Sequence, residues 1–162
     1  MSVNNELLNC ISAFLRNETV QVTLDEGGWA ELIRKAEEQK LLPMIFEAAG
    51  ASMPESLRTA IRSRTKLLVA RQMQCTQEFL SLYKSLSDAG IRPLVIKGIV
   101  CRSVWSRPEH RSSADEDLYI PQSDYPAFHE KMLELGFEAK SPDYKNCLLY
   151  TSPSPRDRTR SR

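Results

Sequence analysis

A helical period runs from Glu55 to Ala89, where Leu57, Ile61, Leu67, Leu68, Met73, Phe79, Leu80, Tyr83 and Leu86 are the apolar positions that alternate with basic and polar ones. Any fold of this chain has to accommodate that helix, which Met53-Pro54 opens and Gly90 closes as the residue just past a helix C-terminus. Upstream, residues 5–16 place Leu7, Leu8, Ile11, Phe14 and Leu15 on one helical face. After a polar turn, Trp29, Leu32, Ile33 and Ala36 resume the 3.6-residue period. Pro43 suits the first turn of a further helix, and Gly50 is its stop. Residues 1–89 are therefore predicted as a helical region.

From Ile91 the pattern changes. PLVIKG is a short β-favouring run ending in Lys97-Gly98, and IVCRSVW reads as a helix behind it. A polar turn at Arg107-Pro108-Glu109 leads to a strand through Leu118 and Ile120, which Pro121 ends. Residues 123–135 return to helical spacing, Gly136 closes them, and 137–139 start a third strand. The predicted class is α/β in the α+β sense: an N-terminal helical region, then a β-α-β-α-(β) mixed sheet over residues 90–146, truncated before its remaining strands.

The 41% hydrophobic content of these 162 residues supports a core, so a disordered or fibrous chain is excluded. Lys and Arg number 22 against 21 Asp and Glu. Residues 147–162 hold four of the arginines and one aspartate, which leaves 18 basic and 20 acidic residues before them. That mildly acidic body does not indicate a nucleic-acid partner. Cys10, Cys75, Cys101 and Cys147 form no CxxC pair, and His110 and His129 lack metal-ligand spacing, so no zinc site is expected. With no basic leader and no apolar run long enough to span a bilayer, the expectation is a cytoplasmic chain with reduced thiols and no membrane partner.

The string CLLYTSPSPRD, Cys147 to Asp157, resembles the translation of a transposon-type sequencing-library adapter. Residues 147–162 are accordingly expected to be a disordered, adapter-derived tail, with the natural sequence leaving off near Asn146.

Two features carry chemistry. Asp115 and Asp117 flank Glu116, and strand alternation puts the two aspartates on one face and Glu116 on the other. Carboxylates about 5 Å apart repel by about 3 kcal/mol at an effective dielectric of 20, and a divalent cation between them turns that into attraction. Mg²⁺ suits the pair, because it takes few protein carboxylates and completes its shell with water and phosphate. The alternative is a pair of solvated surface acids. Lys97-Gly98 stands between a strand and a helix, where Gly98 lets a phosphate approach and the helix start offers free N–H donors. An ordinary strand-end lysine and a tight turn are the alternatives there.

Taken together, PLVIKGIVCRSVW and HRSSADEDLYIPQSDYPAFHEKMLELGFE resemble the uncharacterised nucleotidyltransferases of the DNA polymerase β superfamily over about residues 90–140. The resemblance implies a nucleotidyltransferase-like fold. It also implies Mg²⁺-dependent (or Mn²⁺-dependent) nucleotidyl transfer from an NTP such as ATP to an acceptor it does not identify. Asp115 and Asp117 become the catalytic metal ligands, Lys97 and Gly98 hold the triphosphate, and Arg111 and Ser113 contact phosphate. Two-metal phosphoryl chemistry is the implied mechanism. The sequence departs from the family at Glu116, where an apolar residue is usual; this implies an open, solvated face behind the acids. A third carboxylate from a later strand is also missing, since Asp143 sits in a loop-like SPDYKN. The fragment alone is therefore expected to be inactive.

Two other classes remain open: a DxD metal-dependent glycosyltransferase, and a non-enzymatic helical interaction module with a degenerate transferase domain. His110 is read as an exposed loop histidine. Arg58, Arg62, Arg64, Lys66 and Arg71 are read as a solvated basic helix face, and Trp29 and Trp105 as core.

Overall fold

The computed structural model describes residues 2–113, 115–139 and 150–151. They group into two compact units, one of residues up to 80 together with 95–117, the other of 81–94 together with those from 118 onward.

The first unit is built on helices. In α1 (Val3–Leu15), Cys10, Ala13 and Phe14 share one face and are buried, with Leu7 and Ile11 packed beside them. Asp25 starts α2 (Glu26–Glu38) by accepting the Gly28 N–H at 2.8 Å, a cap that stabilises a helix by about 1 kcal/mol. Trp29, Leu32, Ile33 and Ala36 then enter the core at the expected spacing. Pro43 lies in the first turn of α3 (Leu42–Ala49), where its missing N–H has no partner to lose. Leu42, Met44, Ile45, Ala48 and Ala49 of this helix are fully enclosed. Full burial of a side chain such as Leu32 or Ile45 contributes roughly 1.5–3 kcal/mol. The Ser52 hydroxyl donates to the Val20 carbonyl and accepts the Val22 N–H, each at 3.2 Å, which pins the 20–22 segment to the 3-10 turn Gly50–Ser52 after α3.

Helix α4 (Glu55–Asp88) is the long helix that the period demands, 34 residues or about 51 Å at 1.5 Å per residue. Ile61 is buried in the first unit's core, and Leu57 and Leu68 pack against that core, but Leu67, Met73 and Leu80 of the expected apolar set are exposed. Arg62, Arg64, Lys66 and Arg71 are exposed as read from the sequence, whereas Arg58 is half-buried and paired with Glu55. Gly90, at φ +81°, turns the chain out of the helix, and the Ile91 N–H donates back to the Leu86 carbonyl at 2.9 Å. In the second unit, Leu86 and Ile91 are buried with Phe128 and Met132 of α6 (Tyr125–Glu134).

Strand β1 (Leu94–Val95) pairs with β2 (Leu118–Tyr119), with α5 (Ile99–Ser103) between them in sequence. The third strand expected near 137–139 is β3 (Glu138–Ala139), and it pairs antiparallel with β4 (Tyr150–Thr151), Glu138 opposite Thr151. The order of helices and strands is thus the expected one, and the class is α+β. Among the described residues, however, the strands form two separate pairs instead of one sheet. Tyr150 and Thr151 are the described part of the segment read as a tail; residues 140–149 and 152–162 lie outside the described residues.

Candidate active site

Lys97-Gly98 is a sharp turn between β1 and α5. The Ile96 N–H donates to the Asp117 carbonyl at 2.9 Å, which brings this turn against the acidic segment 115–117. Gly98 has φ +71° and ψ −110°, close to the first central position of a type II′ turn, which glycine dominates. Space excludes any other residue as well. A Cβ at Gly98 would stand 2.8 Å from the Asp115 carbonyl oxygen and overlap the Glu116 carboxylate.

That carboxylate corrects the expectation of an open face behind the acids. Glu116 is turned inward, its side chain only 17% exposed. One oxygen accepts the Ile99 N–H at 2.6 Å, and the other accepts Arg102 Nη2 at 2.5 Å. The Ile99 N–H, one of the donors expected to be free for phosphate at the start of α5, is therefore already taken. Arg102 is 1% exposed and donates from both terminal nitrogens of its planar fork. Its Nη1 donates to the Ser113 hydroxyl, and Nη2 also reaches Thr76 Oγ1 at 3.4 Å. The Ser113 N–H in turn donates to Gln72 Oε1 at 2.9 Å. A guanidinium buried this deeply is tolerable only because its partners replace lost water.

The alternation 115–117 holds in outline: Asp115 and Asp117 are exposed on either side of the inward Glu116. All three precede β2, so they lie in irregular backbone and not in the strand itself. Lys97 Nζ stands 3.2 Å from Asp117 Oδ2, and both side chains are largely solvated. Such a pair is worth at most about 1 kcal/mol, so a competing cation displaces it easily. Ser113 is half-buried and serves Arg102 and Gln72. Arg111 is half-buried after a short turn, Pro108–His110. Lys97, Gly98, Arg111, Ser113, Asp115 and Asp117 all lie in the first unit.

Arg102, Gln72 and Thr76 were not legible as site residues. Arg102 is one position in a short helix, and the other two are polar positions on α4. The signal that finds them is spatial: once Glu116 is known to face inward beside the glycine turn, its carboxylate needs a buried base. His110 also differs from its reading. It is buried and stacked on Phe14, with ring centroids 5.8 Å apart and planes 19° apart, and Trp105 packs on the same phenylalanine. Burial pushes its imidazole below the ordinary pKa, against a weaker opposing pull from Glu109 and Glu47.

The donor set fits a hard divalent ion. Two exposed carboxylates face water, and one already holds an ammonium group. Among the described residues no cluster of three His, Cys, Asp or Glu side chains is placed to hold a metal; the Glu116 carboxylate is taken by Arg102 and the Ile99 N–H. Two carboxylates are the small protein share that Mg²⁺ takes when phosphates and waters complete its shell. Asp143 lies outside the described residues.

The fold is α+β and nucleotidyltransferase-like, a helical region carrying a Lys-Gly turn set against an acidic pair. A family of uncharacterised nucleotidyltransferases matches the chain over residues 25–160, and the chain belongs to that family. Comparison with curated proteins and with solved structures finds no match.

Proposed function

We propose that this chain binds a nucleoside triphosphate with Mg²⁺ or Mn²⁺ at Asp115 and Asp117, and that the protein transfers the nucleotidyl group to an acceptor hydroxyl. The observation that carries this reading is the outward acidic pair, one member already paired with the Lys97 ammonium, in a chain of the nucleotidyltransferase family. When bound, the divalent ion supplies neutralisation of charge on the triphosphate and a lowered pKa at the attacking hydroxyl.

The chain's own residues supply the rest. Asp115 and Asp117 provide the ligand oxygens. Lys97 leaves Asp117 when a stronger cation arrives and pairs with a phosphate oxygen, so it neutralises charge at both stages. Arg111, just ahead of the acids, is the second cation for phosphate. The Ser113 hydroxyl keeps its own proton free to donate while it accepts from Arg102. Gly98 keeps the turn free of a side chain. Free thiols at Cys10, Cys75 and Cys101 fit a reducing, cytoplasmic setting. Among the described residues no helix is long and apolar enough to cross a membrane.

Calorimetric titration of the 162-residue chain with Mn²⁺, alone and with ATP, tests the reading. Asp115→Asn and Asp117→Asn are each expected to weaken Mn²⁺ binding at least tenfold. Lys97→Ala is expected to weaken Mn²⁺-ATP while leaving bare Mn²⁺ equal or tighter. Mn²⁺ binding unchanged in both aspartate variants overturns the assignment.

A further inference from the structure

Three consecutive carboxylates, Asp115, Glu116 and Asp117, stand in a segment without strand hydrogen bonding of its own except at the Asp117 carbonyl. Nothing in such a backbone dictates which acids face water, and each carboxylate repels its neighbours. One buried side chain makes the choice. Arg102 grips Glu116 through Nη2 and Ser113 through Nη1, and so fixes the segment at two points that bracket Asp115. The Ile99 N–H completes the hold on Glu116, and the Ile96 N–H fixes Asp117. Gln72 and Thr76 of α4 brace the same network from behind.

We infer that Arg102 is a positioning residue for the metal site: by holding Glu116 inside, it leaves Asp115 and Asp117 as a fixed outward pair. The inference rests on the reading of those two aspartates as metal ligands. It deepens that reading, because Arg102 is buried and acts through the segment it holds, at Glu116 above all and at Ser113, and not as a ligand itself. Preorganised ligands bind more tightly than ligands that must be ordered on binding.

The sign of the effect separates this role from two simpler ones. If Arg102 acted only as a nearby positive charge, its removal would strengthen cation binding. If it only stabilised the fold, affinity of the folded molecules would not change. Positioning predicts weaker binding by molecules that remain folded.

The experiment is a Mn²⁺ titration followed by electron paramagnetic resonance of free Mn²⁺, at a temperature where circular dichroism shows each variant folded. Arg102→Leu is expected to lower affinity at least fivefold. Arg102→Lys keeps the charge but loses the two-pronged grip, and it should lower affinity at least threefold; it also serves if Arg102→Leu does not fold. In Arg102→Leu/Glu116→Leu an apolar residue stays inside unaided, so affinity should return to within twofold of wild type. Equal or tighter binding by both single variants overturns the inference alone. A double variant that stays as weak as Arg102→Leu overturns the route through Glu116. A wild-type chain that binds no Mn²⁺ overturns the metal-site reading and the inference with it.

Discussion

Gly98→Ala should destabilise the chain far more than a single methyl group suggests, and Glu116 is the reason. At φ +71° and ψ −110°, an alanine carries backbone strain of about 1–3 kcal/mol. Its Cβ would also overlap the Glu116 carboxylate, which must then leave the Ile99 N–H and Arg102. Breaking a buried ion pair costs about 3–5 kcal/mol, and the 17% exposure of Glu116 puts this one near the lower end. The expected loss for Gly98→Ala is therefore about 4–6 kcal/mol. Glu116→Ala alone strands Arg102 and should cost about 3 kcal/mol. In the double variant the ion pair is lost only once, so the total should remain about 4–6 kcal/mol instead of the additive 7–9. Urea denaturation followed by circular dichroism measures all four corners of the cycle, with sucrose added if the weaker variants are partly unfolded. Additivity within about 0.5 kcal/mol would show that Gly98 does not act through Glu116, and it would refute the reasoning.

Two further outcomes follow from buried groups. His110 is held below the ordinary imidazole pKa of 6.5, chiefly by burial, with Glu109 and Glu47 pulling up and Arg107 pushing down. The unfolded chain therefore takes up a proton before the folded one does. Stability should be full above about pH 7 and fall as pH drops below about 6.5, and His110→Phe should flatten that part of a thermal-melt series. The Cys10 thiol is pushed up to about 11 by burial, with Glu6 adding to the effect, whereas Cys75 is exposed. Alkylation at pH 8 read by peptide mass spectrometry should label Cys75 first and Cys10 only after denaturant is added; early labelling of Cys10 in the native chain would contradict its burial.

The helices were legible because each has a long apolar face and a marked end. Trp29, Leu32, Ile33 and Ala36 repeat at helical spacing behind an Asp25 cap, and Gly90 stops α4 where the period stops. The strands were legible only as places in the order. Two-residue strands such as Leu94–Val95 have too little alternation to reveal a partner, so the pairing of β3 with β4 was not readable from residues 137–139. His110 was misread for a related reason. Its neighbours Arg107, Glu109 and Arg111 are polar, and what buries it is Phe14, almost a hundred positions away in the chain.

The acidic segment shows the same limit at the site itself. Alternation correctly separates Glu116 from Asp115 and Asp117, but it does not say which side is wet. An apolar residue at position 116 would make the inside self-evident, through burial alone. With glutamate there, the inward side is decided by a base, and bases are identified by position in space. Arg102 lies 14 residues before Glu116, on a five-residue helix whose first N–H the same carboxylate accepts. The glycine that makes room for that carboxylate, the helix that receives it and the arginine that neutralises it are consecutive features of one short stretch, 98–102. Glu116 is therefore accommodated by a local arrangement and not by a tolerant surface, and a change to any one of the three should be felt by the other two.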